Sequence, residues 1–298
     1  MKTLVAGWFS FEQMGATVGD LLTRDLVCQW LSKAGLDYDM AVAPPFDDGV
    51  YWASVDPQIY SHVIFVCGPF GNGWPIPEFL THFKGCRLIG LNLSMIESLD
   101  TWNPFDLLWE RDSSRCARPD LSFLSNQGSV PVVGLILADQ QKEYREKSLH
   151  HIANDSFHQL INSRPMAVVN IDTRLDNNQT GLRTPSEVES LIARMDVVLT
   201  TRLHGTVLAL KNGVPAIVID PIAGGSKVQR QAATLGWQTV FIVDSLDNRK
   251  LQKAFEYCLT ESAHMQARSC SKQAVHRLKE VKSGFLSGMT QFSTRAEN

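Results

Sequence analysis

The chain of 298 residues lacks the patterns by which many functional classes are recognised. Its six cysteines form no CxxC pair and no Cys/His spacing suited to zinc, and several of them lie in apolar runs. This usage is typical of reduced, buried cysteines in a cytoplasmic protein rather than of a disulfide framework. We therefore expect a cytoplasmic protein without a metal site.

Glycine-rich nucleotide loops and long apolar runs are also missing. Neither G-x-G-x-x-G nor the P-loop pattern occurs, so the binding of a dinucleotide or nucleoside triphosphate through those loops is not supported. No run approaches the roughly 20 apolar residues that a membrane-spanning helix requires. The short apolar stretch at residues 4–9 is soon followed by Glu12 without a cleavage-like site, so we interpret it as a first strand.

Acidic residues slightly outnumber basic ones: the formal net charge is −3, with 44% hydrophobic and 20% charged residues. These totals indicate neither disorder, nor a polybasic surface for nucleic acid, nor a membrane-coating helix. The length allows two domains of ordinary size. The composition becomes small and polar at residues 126–129, which places a domain boundary there and predicts domains at 1–128 and 129–298.

Each half of the chain alternates strand patterns with helix patterns. Strands are predicted at 4–9, 38–43, 62–67, 87–91, 107–109, 131–137, 167–171, 195–200, 215–220 and 240–243; helices are predicted at 21–34, 140–162, 186–193, 206–213, 227–235 and, as one or two helices, 246–285. Residues 287–298 are expected to be frayed. The alternation predicts an α/β fold of two Rossmann-like parallel-sheet domains that face a central cleft.

The chain is organised around Arg202 and His204, which lie where the strand 195–200 hands over to a helix. In open α/β sheets, ligands bind at the carboxyl ends of the strands. A guanidinium suits carboxylate or phosphate, and imidazole exchanges a proton near neutral pH. In an extended backbone both side chains would share one face while Leu203 turns into the core. The alternative is that Arg202 is a surface cation and His204 satisfies backbone groups.

A further cation follows the next strand. Lys227 comes after Gly224 and Gly225, whose backbone amides can turn toward an anion, and it lies at the same predicted edge of the sheet. The alternative is a solvated lysine in the loop before a helix.

In the first half, Arg111 follows a short strand and is adjacent to polar residues that can orient it; a surface salt bridge is the competing explanation.

Asp20 is expected to be the N-cap of the helix at 21–34, although a carboxylate there can also accept a proton from an acceptor hydroxyl. The pair His150-His151 has no partners at ligand spacing and is expected to be exposed.

These motifs together resemble the polysaccharide pyruvyltransferase family. The resemblance is strongest over residues 186–237, where Arg202-Leu203-His204-Gly205 is followed by Gly-Val-Pro at 213–215 and by Lys227. Weaker matches are Gly19-Asp20, the glycine-containing loop at 68–73 and the Glu-Arg-Asp segment at 110–112.

The resemblance implies a GT-B-like fold and transfer of the enolpyruvyl-derived group of phosphoenolpyruvate onto two hydroxyls of a sugar, forming a ketal in exopolysaccharide or cell-wall polysaccharide biosynthesis. Phosphoenolpyruvate would be a co-substrate, and no cofactor is expected. By resemblance, Arg111, Arg202, His204 and Lys227 would correspond to donor-binding or catalytic positions. Our leading hypothesis makes His204 the general acid and Asp20 the acceptor base. The donor site would comprise Arg111, Arg202, Lys227, Gly205, Gly224 and Gly225, and the acceptor side Gly19, Gly71 and Gly73.

Two other functions fit the same residues. In a GT-B glycosyltransferase the cations would hold the diphosphate of a nucleotide sugar. A catalytically degenerate member would bind a sugar or anion without turnover.

Overall fold

A computed structural model describes residues 2–140 and 142–295 of the chain. The chain divides into two compact units, Met1–Gly128 and Ser129–Asn298. Each unit is built on its own parallel sheet and has its own apolar core. The α/β class and the two Rossmann-like parallel sheets are therefore confirmed.

The first unit is built on a five-stranded sheet. Its elements are β1 (Lys2–Gly7), α1 (Val18–Lys33), β2 (Tyr38–Met40), β3 (Tyr60–Val66), β4 (Pro69–Phe70), α2 (Ile76–His82), β5 (Arg87–Leu91), β6 (Ser94–Met95) and β7 (Leu107–Trp109). The main sheet has the order β2-β1-β3-β5-β7, and every neighbouring pair is parallel. β4 and β6 form a separate two-stranded sheet.

The residues of β3 explain its central place, because four of its seven residues in succession, 63–66, are buried. A strand that is apolar on both faces is stable only where helices or loops cover both sides of the sheet. One side packs on a cluster of aromatic rings that includes Phe65, Phe70 and Phe79. The other side packs on α1 through Val27 and Leu31.

The second unit repeats this plan. Its elements are β8 (Val132–Ile136), α3 (His150–Asn162), β9 (Ala167–Asn170), α4 (Pro185–Ile192), β10 (Val197–Thr200), α5 (Leu203–Lys211), β11 (Ala216–Asp220), α6 (Lys227–Leu235), β12 (Val240–Ile242), α7 (Asn248–Cys258) and α8 (Glu261–Arg295). The parallel sheet has the order β12-β11-β10-β8-β9. All residues of β10 and β11 are buried.

The strand order of the second unit creates a topological switch point. β9 pairs with one edge of β8 and β10 pairs with the other, so the chain leaves β8 and β10 in opposite directions across the sheet. In open α/β sheets the crevice beyond the carboxyl ends of two such strands is the usual ligand site. The segments after β8 and β10 therefore define where a ligand of this unit is expected.

The start of α1 differs from the sequence-based expectation. The helix begins at Val18 and not at residue 21, because Thr17 is the N-cap and Asp20, three residues later, completes a capping box. Asp20 is thus in the first turn, and the prediction that it is the N-cap was wrong. Gly19 lies inside the helix and not in a loop.

Two further expectations about helices were wrong. Residues 140–162 do not form one helix: a 3₁₀ segment, Lys142–Lys147, contains Arg145 at a φ of 48°, and α3 begins only at His150. Residue 141 lies outside the described residues. Residues 287–295 are not frayed but continue α8, and 296–298 lie outside the described part of the chain. No helix among the described residues combines the length and apolarity needed to cross a bilayer.

Candidate functional site

Two threonines fix the backbone where β10 ends. Buried Thr200 donates its hydroxyl to the carbonyl of Ile136 in β8 (2.8 Å) and accepts the N–H of Arg202 (3.0 Å). The hydroxyl of Thr201 accepts the N–H of Ala138 (2.8 Å). The ends of β8 and β10 are thereby held together by side chains beyond the regular ladder, which makes this corner of the second unit rigid.

Gly205 allows α5 to begin directly against this corner. It is buried, and a Cβ at its position would lie 2.2 Å from the Thr200 hydroxyl oxygen and 3.0 Å from a methyl carbon of Ile136. The structure therefore places Gly205 in the packing of helix on strand ends.

The backbone around Arg202 and His204 is not extended as expected. Arg202 is the N-cap of α5, whereas Leu203 and His204 are already helical, because the Thr200 hydroxyl turns the chain immediately. The two polar residues therefore do not share a face by strand alternation. His204 is exposed in the first helical turn, and Leu203 is half-buried instead of buried in the core.

The guanidinium of Arg202 is held in place by the second unit. Nε and Nη2 donate to the carbonyl of Leu137 at 3.3 and 3.0 Å, and Nη2 lies 3.9 Å from a carboxylate oxygen of Asp172. The described residues give Nη1 no hydrogen-bond partner. Arg202 is therefore oriented while part of its donor capacity remains available.

Lys227 is the first residue of α6, and its ammonium lies 5.6 Å from the centre of the Tyr144 ring. The loop before it is organised by Asp220 at the end of β11. This buried carboxylate accepts the N–H groups of Ile222 (3.1 Å), Ser226 (2.7 Å) and Gln229 (2.9 Å). Asp220 thus sets the position of Lys227. The sequence-based prediction did not include Asp220, which is recognisable in the sequence only as an acidic residue at the end of an apolar strand.

The glycines of this loop do not direct their amides outward. Gly224 donates its N–H to Asp244 (2.9 Å) and Gly225 donates to the carbonyl of Ile222 (2.8 Å). Both have φ values near +75°, at 78° and 75°, a conformation that glycine adopts without strain. The structure thus places both residues in the turn that leads to α6.

These groups surround a cavity of about 270 Å³ in the second unit. Its lining residues are Ala138, Thr201, Arg202, Leu203, His204, Pro221, Ile222, Lys227 and Val228. Among the described residues, its ionisable lining consists of Arg202, His204 and Lys227, with no carboxylate. The volume lies just under the ~300–1,000 Å³ range of sites for drug-sized ligands, so it suits a small anion.

A larger cavity, of about 570 Å³, lies in the first unit between α1, β5 and the segment after β7. Most of its lining is apolar, including Trp30, Leu31, Leu91 and Trp109. Size alone would favour it, but the smaller cavity has the cations and lies at a switch point. Chemistry therefore selects the cavity of the second unit.

His150 was expected to be exposed and is instead 2% exposed. Its Nδ1 lies 2.8 Å from the Ser148 hydroxyl, and its Nε2 has no hydrogen-bond partner. Burial lowers the pKa of His150, and Lys227 lowers it further, against opposing contributions from nearby carboxylates. The surroundings of His150 in the folded chain therefore favour its neutral form.

Arg111 belongs to an ionic network within the first unit. It donates to Asp120 (2.8 Å), to Asp112 (3.3 Å) and to the Ser94 hydroxyl. Burial acts to raise the pKa of Asp120, but hydrogen bonds from Arg111, Ser122 and other donors outweigh it and lower the pKa to about 2. Arg111 thus has a structural partner in the first unit, a carboxylate that stays ionised.

The other residues predicted for the acceptor side also have local roles in the first unit. Asp20 accepts the N–H and the hydroxyl of Thr17, both at 2.7 Å. Gly71 packs closely against Ile96 and Glu97, and Gly73 has open space where a side chain would be. The structure therefore does not bring Asp20, Gly19, Gly71 and Gly73 into one cluster of hydrogen bonds.

No group of three or more potential metal ligands occurs among residues 2–140 and 142–295. All six cysteines are free thiols, and burial raises the pKa of Cys67 and Cys258.

The fold and the site define an α/β protein with a cationic cavity at the switch point of a Rossmann-like sheet. Residues 119–221 match the family model described as polysaccharide pyruvyl transferase, which confirms the resemblance over that stretch. The match is to a family of transferases and includes Arg202, His204 and Asp220. Lys227 and Arg111 lie just outside it.

Several solved structures are similar to the chain only at a low level. A spinosyn rhamnosyltransferase in complex with thymidine diphosphate is 11% identical, with a TM-score of 0.34 and coverage of 95% of this chain and 100% of that one. The UDP-GlcNAc 2-epimerase of Methanocaldococcus jannaschii is also 11% identical, with a TM-score of 0.34 and coverage of 94% and 100%. The E. coli ADP-heptose heptosyltransferase II is 11% identical, with a TM-score of 0.30 and coverage of 87% and 98%. No curated protein matches the sequence.

Proposed function

We propose that the chain transfers a pyruvyl group from phosphoenolpyruvate to two hydroxyls of a sugar or polysaccharide precursor, forming a pyruvate ketal. One observation carries the proposal: the cavity beyond β8 and β10 is lined by Arg202, His204 and Lys227 and, among the described residues, by no carboxylate. Phosphoenolpyruvate carries both a phosphate and a carboxylate, so it requires more than one cation. The family match over residues 119–221 supports the same reaction class.

The two cations, Arg202 and Lys227, have complementary tasks in this proposal. Arg202 offers a planar guanidinium whose orientation is set by the Leu137 carbonyl, which suits a carboxylate or a phosphate edge. Lys227 is a point charge at the start of a helix and lies near the face of Tyr144, from which it can turn to a phosphate. Binding an anion between them leaves His204 next to the bound molecule.

His204 is the proposed general acid. It gives a proton to the methylene carbon of phosphoenolpyruvate, which becomes a methyl group, while a sugar hydroxyl forms a bond to the central carbon. A second hydroxyl then bonds to that carbon as the bond to the phosphate oxygen breaks and phosphate leaves with the electron pair. The two hydroxyl protons balance the reaction, because one restores His204 and the other leaves with phosphate.

We assign no step to Asp20 or Arg111. The carboxylate of Asp20 already accepts two hydrogen bonds as part of a helix cap, and Arg111 is bonded to two carboxylates in the first unit. The proposal therefore depends on the second unit alone.

The test compares the wild-type protein with His204→Asn and with His158→Asn, an exposed histidine on α3 that serves as the matched control. Each is incubated with phosphoenolpyruvate and a panel of sugar acceptors, and phosphate release and ketal formation are measured. We expect turnover by the wild type and the control, and a loss of about 10²–10⁴-fold in His204→Asn, the usual contribution of a general acid.

Ligand binding separates this proposal from its rivals. Thermal stabilisation by phosphoenolpyruvate, reduced in Lys227→Met at the same ligand concentration, is the expected result. Stabilisation by a nucleoside diphosphate and not by phosphoenolpyruvate would contradict the proposal and favour a glycosyltransferase. Binding of phosphoenolpyruvate with no turnover on any acceptor would point to a degenerate member of the family.

A further inference from the structure

The second half of α8 is exposed, although Arg277 still donates to the carbonyl of Thr234 in α6 (2.9 Å). In the first half, Ala263, Ala267 and Cys270 are buried and anchor the helix to the unit. From residue 275 to residue 287 every side chain is exposed. A helical stretch of this length that is surrounded by water is only marginally stable, since helical stability in proteins comes mainly from packing of an apolar face.

An apolar stripe runs along this exposed stretch. Its members are Val275, Leu278, Val281, Phe285 and Leu286, whose exposed fractions range from 51 to 65%. At about 100° per residue these positions fall within one face of the helix. Large apolar side chains that share a face and are more than half exposed mark a surface that contacts something else.

Positive charge accompanies the stripe. Lys272, Lys279 and Lys282 are exposed and have no ion pair among the described residues, and Arg277 lies one position before Leu278. Between residues 272 and 286 the sequence contains one carboxylate, Glu280. Helical spacing places Glu280 on the face opposite the stripe and Lys282 within it. The stretch is therefore basic in a chain whose net charge is −3.

We propose that the second half of α8, residues 272–286, binds the surface of an anionic lipid membrane and lies in the plane of that surface. An amphipathic helix with Lys and Arg beside an apolar face binds by burying that face among the acyl chains and by attraction to anionic headgroups. Lys282 fits this environment because its aliphatic stem lies along apolar material while its ammonium reaches the headgroups.

The charges argue against a second copy of the chain as the occupant. Pairing two such stripes places Lys282 of each helix in the apolar seam and brings Lys279 of each beside it. The carboxylate of Glu280 points away from the seam and cannot compensate. An anionic surface compensates all of these cations at once.

The experiment is sedimentation of the full chain with vesicles of phosphatidylcholine, with or without phosphatidylglycerol. The double variant Leu278→Ser/Phe285→Ser removes apolar contacts, and Lys279→Glu/Lys282→Glu reverses the charge. The matched controls are Phe123→Ser, an exposed phenylalanine of the first unit, and Lys250→Glu/Lys253→Glu on the exposed face of α7. We expect partition of the wild type onto anionic vesicles only, at least a tenfold loss in either α8 variant, and wild-type binding in both controls.

Failure of the wild type to sediment with anionic vesicles would overturn the proposal, as would equal losses in the α8 variants and the controls. A second measurement, of molecular mass in solution, addresses the other occupant. If the wild type is a dimer that Leu278→Ser/Phe285→Ser converts to a monomer and no vesicle binding occurs, a second copy covers the stripe. Phosphate release with a water-soluble acceptor is expected to be unchanged in all four variants, so this test is independent of the proposed reaction.

Discussion

Gly205 and Thr200 approach so closely that a Cβ on Gly205 would lie 2.2 Å from the hydroxyl oxygen of Thr200. That hydroxyl is already committed, since it donates to Ile136 and accepts from the N–H of Arg202. The contact therefore links the packing of α5 to the position of the first cation of the cavity. A change at Gly205 must move either the helix or the threonine that sets the Arg202 backbone.

Gly205→Ala is expected to destabilise the second unit by about 1–3 kcal/mol, the usual range for overpacking a tight site. Gly85→Ala is the control, because a Cβ at Gly85 meets nothing within 4 Å. Urea unfolding followed by circular dichroism measures both. Equal unfolding midpoints for the two variants would show that the helix tolerates the added atom.

Lys227→Met is expected to weaken the binding of phosphoenolpyruvate by about 10–150-fold, because a hydrogen bond to a charged group contributes about 1.5–3 kcal/mol. The affinity of the variant is also expected to depend less on salt, since one of two cations is lost. Isothermal titration calorimetry at two ionic strengths measures both effects. Lys250→Met on α7 is the control, and an equal loss of affinity there would mean that Lys227 acts only through the overall charge.

Asp20→Ala is expected to lower the free energy of unfolding by about 0.5–2 kcal/mol through loss of the capping interactions of α1. Thr17→Ala removes the other partner of the same pair and is expected to have a similar effect. Chemical unfolding gives the free energies, and phosphate release gives kcat. A large fall in kcat for Asp20→Ala, with stability unchanged, would restore Asp20 as the acceptor base.

His150 predicts a pH dependence of stability. Burial lowers its pKa in the folded chain below the ordinary value of 6.5, so the unfolded chain binds the proton more readily. Its contribution to stability is therefore complete above pH 6.5 and is lost as the pH falls from there toward the folded pKa, by at most about 1.4 kcal/mol per pH unit. His150→Gln is expected to remove this slope, whereas the exposed control His158→Gln is expected to keep it. The comparison uses the urea midpoints of the wild type and both variants, measured between about pH 7.5 and pH 5, a range that includes the ordinary histidine pKa.

Much of the architecture followed from local patterns. Buried strands such as β3 and β10 were recognisable because parallel strands covered on both faces need continuous apolar runs. α6 was predicted with its observed bounds, since the glycines before it and Gly236 after it mark both ends. The boundary placed at residues 126–129 coincides with the division of the chain into units.

The site was harder to predict than the fold. The sequence predicted Arg202, His204 and Lys227 just after the carboxyl ends of strands. Because the strands of a parallel sheet run in the same direction, their carboxyl ends lie along one edge. The sequence did not show that α5 begins so soon after Thr200. The Thr200 hydroxyl bonds both the carbonyl of Ile136 in the neighbouring strand β8 and the N–H of Arg202, and the first of these bonds forms only in the folded chain. Nor did the sequence show that His150 is buried, because its partner Ser148 acts only after the 3₁₀ segment has turned the chain.

The amino-acid composition did not predict the exposed apolar stripe of α8 for a different reason. Whole-chain totals averaged the basic stretch at 272–286 with an acidic remainder, so a net charge of −3 concealed it. Only the exposure of consecutive residues distinguishes this face from that of a helix packed against a core.

Asp220 has a consequence for ligand choice. Its carboxylate takes the amides of Ser226 and Gln229, which otherwise make the start of α6 a natural seat for an external anion. The protein thus supplies its own resident anion at this helix end, and an incoming ligand must be held by the side chains of Arg202 and Lys227. Two side-chain cations select first for a ligand with two negative groups. Discrimination between phosphoenolpyruvate and other small dianions is then expected to come from the acceptor and from proton transfer rather than from initial capture.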